Sequence, residues 1–107
     1  MANSEASERI FMDQVLQIAK MNGWLVHHAT PHKVGNTWRS DGSGTPDLIM
    51  CHPKRGVIFA ELKTERGKMT PNQKLWALAV APWAEYYLWR PSQLPLIATR
   101  LGQGPNA

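Results

Sequence analysis

Cysteine occurs once in the 107 residues, as Cys51. A single thiol excludes an intramolecular disulfide and a cysteine-rich zinc site, and its expected role is that of a small buried hydrophobe. No apolar run approaches the roughly 20 residues of a membrane-spanning helix. Met1 to Glu8 is polar and lacks the basic n-region of a secretory signal. A soluble, cytoplasmic protein is expected, in the host cytoplasm if the chain is viral, with neither a membrane nor an organic cofactor as partner. Repeats and low-complexity tracts are missing, and so is room for a second domain: a chain of this length holds one modest core. Residues 1–107 are read as one domain with its core at about 7–101. Acid is scarcer than base, with 8 Asp and Glu against 12 Lys and Arg, a net charge of +4 and a pI near 9.6. Such a balance favours a polyanionic partner. Eight of the twelve basic residues lie between Lys33 and Lys74.

What is present is a pair of acids where strands are expected. Asp47-Leu48-Ile49-Met50-Cys51 and Val57-Ile58-Phe59-Ala60-Glu61-Leu62-Lys63 flank the turn-like His52-Pro53-Lys54-Arg55-Gly56, which reads as an antiparallel hairpin. Pairing Cys51 with Val57 pairs Asp47 with Glu61. Directly opposed side chains have Cβ atoms roughly 4.5 to 5.5 Å apart, so the two charges repel. A divalent cation removes that penalty, and Mg²⁺ takes one or two carboxylates with water and phosphate oxygens completing its shell. Lys63 shares the face of Glu61 by the two-residue period, within reach of an attacking water or a phosphate. The plain alternative makes Glu61 and Lys63 the solvated side of an edge strand. Val57 and Phe59 share that side, however, and Ile58, Ala60 and Leu62 fill the other, which is the pattern of a central strand buried on both faces.

Around the hairpin, Ser4 or Ser7 caps a helix to about Met21 with Gly23 as its stop, and Phe11, Val15 and Ala19 form its apolar stripe with Met12 and Ile18 beside them. Glu8 lies three residues before Phe11, either extending that stripe or complementing the helix dipole. Trp24 to His28 reads as a strand. Thr30 to Thr45 is a long polar loop, functional or mobile at such a length; in it Trp38 either stacks on a base or covers the core edge. His27, His28 and His32 have no recognised zinc-ligand spacing. Thr70 and Gln73 make a capping box, with Pro71 at the first helical position. Leu75, Trp76, Leu78, Ala79 and Val80 are expected as that helix's buried face. Glu85 to Trp89 is a fourth strand, Ser92 to Leu101 a last helix, and Gln103 to Ala107 a frayed tail. The order is helix, three strands, helix, strand, helix, an α/β domain with a mixed sheet.

Glu8 ahead of Phe11 and Gln14-Val15, Asn22-Gly23-Trp24, Gly44-Thr45-Pro46-Asp47-Leu48-Ile49, Ala60-Glu61-Leu62-Lys63-Thr64, Gly67 to Gln73 and Leu88-Trp89-Arg90-Pro91 together resemble the VRR-NUC family of the PD-(D/E)XK nuclease superfamily, in its stand-alone, virus-type form. The resemblance implies a small restriction-endonuclease-like fold, a four-stranded mixed sheet flanked by helices. It implies that Asp47, Glu61 and the backbone carbonyl of Leu62 hold Mg²⁺ or Mn²⁺, with Glu8 as a further acid, and that Lys63 orients or deprotonates water and stabilises developing charge. Gln73 matches the family's glutamine, and Lys33, Arg39, Arg66, Lys68 and Lys74 are the expected nucleic-acid contacts. The implied activity is metal-dependent endonucleolytic hydrolysis of DNA, with branched, Holliday-junction-like DNA as first substrate and a homodimer as the working form. A non-catalytic DNA-structure-binding module and an RNA-directed nuclease are the alternatives.

Overall fold

The computed structural model describes residues 4–29, 32–34, 37–39 and 44–103, with only the backbone for 4–6, 32–34 and 37–39. Helix α1 (Ser4–Met21) leads into β1 (Leu25–His28), the short strands β2 (His32–Val34) and β3 (Thr37–Arg39), then the hairpin of β4 (Leu48–His52) and β5 (Gly56–Leu62). Helix α2 (Pro71–Val80), strand β6 (Glu85–Trp89), a 3₁₀ turn (Pro91–Gln93) and helix α3 (Leu94–Leu101) complete the order. The main sheet runs β1-β4-β5-β6. Its first three strands are antiparallel, and β6 lies parallel to β5 because α2 carries the chain back across.

Alternation along β4 and β5 sends Leu48, Met50, Ile58, Ala60 and Leu62 to one face, where Phe11, Val15 and Ala19 of α1 and Ile97 and Leu101 of α3 meet them in the core. Gly23 ends α1 at φ 82°, a left-handed conformation that glycine adopts without strain. Trp24 is buried beyond it, donating its indole N–H to the Leu101 carbonyl at 2.8 Å. The Arg100 guanidinium stacks over Trp24 and forks onto Glu85 at 2.7 and 2.8 Å, which joins α3 to β6.

The other face of the sheet is only partly covered, and several expectations change there. The expected register holds, with Cys51 opposite Val57. Yet Cys51 is exposed, because it shares a row with Leu25 and Val57, themselves 69% and 46% exposed. Strand β5 is central, but Val57 and the half-buried Phe59 show that only its core face is fully covered. No residue of α2 is buried, and Leu75 and Leu78 are 63% and 73% exposed: the helix packs mainly along β6, so its expected apolar face has no sheet beneath most of it. The stretch expected as one long loop contains the β2–β3 ladder, Lys33 opposite Trp38. The last helix begins at Leu94, after the 3₁₀ turn.

Candidate active site

Asp47 sits one step ahead of β4. Its carbonyl accepts the Ala29 amide at 2.9 Å, extending the β1–β4 ladder past its last pair, His28 with Leu48. The β4–β5 ladder ends at Leu48 opposite Ala60, so the next step brings Asp47 beside Glu61, and Asp47 Oδ2 accepts the Leu62 amide at 2.9 Å. The Lys63 amide instead donates to Trp89 on β6 at 3.0 Å. Successive strand amides alternate sides, so the N–H and C=O of Leu62 both turn toward Asp47.

Glu61 is the one buried charged residue among those described, 2% exposed. Its Oε2 accepts the Gln73 side-chain amide at 2.9 Å and lies 3.7 Å from Lys63 Nζ. Its Oε1 is buried without a hydrogen-bond partner among the described residues. Burial, reinforced by the charge of Asp47 and opposed by that of Lys63, pushes the Glu61 carboxyl up to about 8. Two carboxylates and a backbone carbonyl form an all-oxygen, hard donor set that suits Mg²⁺ or Mn²⁺, and the unpartnered Oε1 is the atom a cation would satisfy.

Gln73 has two duties at once. Its Oε1 accepts the Thr70 amide at 2.8 Å while Thr70 Oγ1 accepts the Gln73 amide at 3.2 Å, closing the capping box of α2, and its Nε2 holds Glu61. The first turn of α2 is pressed against the segment leading to Asp47. Gly44 adopts φ 81°, and a Cβ there would come within 2.5 Å of the Asn72 carbonyl carbon. Past Lys63, the Arg90 guanidinium donates to the carbonyls of Thr64 and Glu65, and the Glu65 carboxylate accepts the amide and hydroxyl of Ser92. The chain that carries the lysine is thereby tied to the end of β6. A cavity of about 550 Å³ opens between this loop and α1, bordered by Ser7, Ile10, Gln14, Thr64, Arg66 and Pro91.

The structure thus gathers Asp47, Glu61, Leu62, Lys63 and Gln73. Glu8 is exposed, and no group of three or more His, Cys, Asp or Glu side chains converges among the described residues, so Glu8 does not join the acid pair. Arg66, Lys68 and Lys74 are exposed along the loop and on the first turns of α2. The side chains of Lys33, Arg39 and Trp38 lie outside the described ones. Sequence reasoning assigned no role to Arg90 or Tyr86. Arg90 carried a signal, the Trp-Arg-Pro that closes a strand; Tyr86 carried only its parity with Leu88, which sets it on the face of Glu61.

The VRR-NUC domain profile matches residues 10–82, well over half of the chain. The chain belongs to the VRR-NUC family. The matched span holds Asp47, Glu61, Leu62, Lys63 and Gln73 and excludes Glu8. A solved structure titled "VRR_NUC domain" superposes with a TM-score of 0.64 over 87% of this chain and 95% of that one, at 19% identity; the likeness shows the shared fold. No curated protein sequence matches. VRR-NUC is a nuclease family whose members generally use divalent metals, which makes this chain a nuclease-fold domain and DNA the first substrate class to consider.

Proposed function

We propose that this VRR-NUC chain is a metal-dependent endonuclease that hydrolyses DNA phosphodiesters, with preference for branched, Holliday-junction-like DNA. The carrying observation is Glu61: a carboxylate 2% exposed, beside Asp47 and 3.7 Å from an ammonium, with one oxygen unpartnered among the described residues. A purely structural carboxylate in that position would be costly, since a buried charge with an unsatisfied oxygen is disfavoured. Asp47, Glu61 and the Leu62 carbonyl would hold Mg²⁺ or Mn²⁺. When bound, the cation supplies Lewis-acid polarisation of the phosphate and eases deprotonation of water.

The chain's own groups do the rest. Gln73 fixes the rotamer of Glu61, and the Asp47 carboxylate is held by the Leu62 amide. Lys63, its side chain 17% exposed, reaches the acid pair from the same face. There it orients the attacking water and stabilises the charge that builds on the phosphate as the new P–O bond forms and the old one breaks. Arg66, Lys68 and Lys74 hold the flanking phosphates. Two cuts in opposed strands need two such sites, and a symmetric dimer supplies them; the exposed apolar row Leu25, Cys51 and Val57 supports a homodimer.

The test is cleavage of labelled four-way junction, flap, duplex, single-stranded DNA and RNA in Mg²⁺, Mn²⁺ or EDTA, comparing wild type with Lys63→Ala. Metal-dependent cutting of the junction, lost in the variant, is expected. Binding without cutting in every condition would make the chain a DNA-structure-binding module, and preferential cutting of RNA would make it an RNA-directed nuclease.

A further inference from the structure

The face of the sheet that carries Glu61 contains a second unsatisfied polar atom. Strand β6 runs parallel to β5 with Phe59 opposite Tyr86 and Glu61 opposite Leu88, so Tyr86 stands one same-face position before the level of the acid. Its hydroxyl is buried and has no hydrogen-bond partner among the described residues. The phenol is held up to about 12 by burial and then by the charges of Glu61 and Asp47. The hydroxyl therefore lies in the field of both carboxylates and stays protonated, a donor, wherever the enzyme works. Its neighbour Tyr87 offers a contrast within the same strand. That side chain faces the core side, stacks on Trp89 and donates to Glu85 at 2.6 Å, so its hydroxyl is used by the fold. Among the described residues, none pairs with the hydroxyl of Tyr86. Buried polar groups are rarely left unpaired unless a water, an ion or a ligand completes them, and Tyr86 Oη shares a face with Glu61 Oε1, a carboxylate oxygen with two lone pairs that can accept from a water beside a cation.

We propose that Tyr86 is a positioning residue of the nuclease site, its hydroxyl donating a hydrogen bond to a water held between it and Glu61 Oε1. Acting beside the ligands, it fixes the outer hydration of the acid pair and hence the orientation of Glu61. This inference rests on the reading of Asp47 and Glu61 as the metal site. Groups in that outer position cost about 10- to 100-fold in metal affinity or activity when removed, although they touch neither metal nor substrate.

Tyr86→Phe tests it by removing one oxygen and keeping the ring. Mn²⁺ binding is read from the electron paramagnetic resonance signal of the free ion, alongside thermal melting in EDTA and cleavage of the best substrate. The expected result is an unchanged or slightly higher melting temperature, Mn²⁺ binding weakened about tenfold, and a comparable loss of kcat. Tyr87→Phe is the control, expected to lower the melting temperature with Mn²⁺ affinity intact. Equal Mn²⁺ affinity in wild type and Tyr86→Phe would overturn the assignment of Tyr86 while leaving the nuclease reading in place. Failure of the wild type to bind Mn²⁺, or binding that survives Asp47→Ala, would overturn both.

Discussion

Replacing Glu61 by glutamine should make the metal-free protein more stable, and more so as pH rises. In the fold the carboxyl is pushed to about 8 from an ordinary 4.5, so the folded state binds the proton more tightly than the unfolded one. Its stabilising effect is complete below about pH 4.5 and is lost as pH climbs through 8. Between pH 5.5 and 8.5 the linkage amounts to about 3 kcal/mol at one pKa unit per 1.36 kcal/mol, an order of magnitude set mainly by burial. For a domain of this size that is about 10 to 15 °C of melting temperature. Glutamine still accepts the amide of Gln73 through its oxygen, and its NH₂ replaces the carboxylate that repels Asp47. The assay is melting by circular dichroism in EDTA from pH 5 to 9, wild type against Glu61→Gln, the difference cancelling the histidines common to both. The wild type should fall behind steadily above pH 5.5, and Mg²⁺ at pH 8.5 should recover its loss by favouring the ionised carboxylate. Parallel pH profiles for the two proteins would refute the reasoning, because Glu61 would then be no harder to ionise in the fold than out of it.

Gly44→Ala should cost about 1–3 kcal/mol for its left-handed backbone, with more from the Cβ forced against Asn72, and urea titration would show it as a lower midpoint. Gln73→Ala should lose about 1 kcal/mol of helix capping together with cleavage, whereas Gln73→Glu should keep the cap and fail in Mg²⁺-free stability at high pH, because a third carboxylate then faces Glu61; melts at pH 6 and 8.5 separate the two. Arg66→Ala and Lys68→Ala should each lower the slope of log Kd against log salt by about 1 if each holds one phosphate, measured by fluorescence anisotropy with junction DNA.

The acid pair was legible in the sequence because a hairpin's register follows from its turn and its two-residue period. Placing Cys51 against Val57 carries Asp47 to Glu61 with no further information. Glycine at a helix stop and the Thr70–Gln73 box were legible for a similar reason, each being a local rule of backbone chemistry satisfied by neighbours in sequence. The exposure of Cys51 was not, nor that of Leu75 and Leu78, because apolar pattern says which side of an element is oily and not whether another element arrives to cover it. Glu8 shows the same limit: three residues from Phe11 in sequence, it remains exposed while Phe11 is 2% exposed.

By itself, then, the sequence determined the order of the helices and of the four main-sheet strands, the hairpin register and the meeting of Asp47, Glu61 and Lys63, since all three depend on contacts between near neighbours along the chain. Only the tertiary structure decided how deeply Glu61 is buried, that Gln73 reaches it from a capping position, that Arg90 anchors the loop after Lys63, and that Tyr86 brings to the face of Glu61 a buried hydroxyl with no partner among the described residues. Those facts depend on where the crossover through α2 sets β6 against β5, which is a matter of three-dimensional packing and has no periodic signature in the chain.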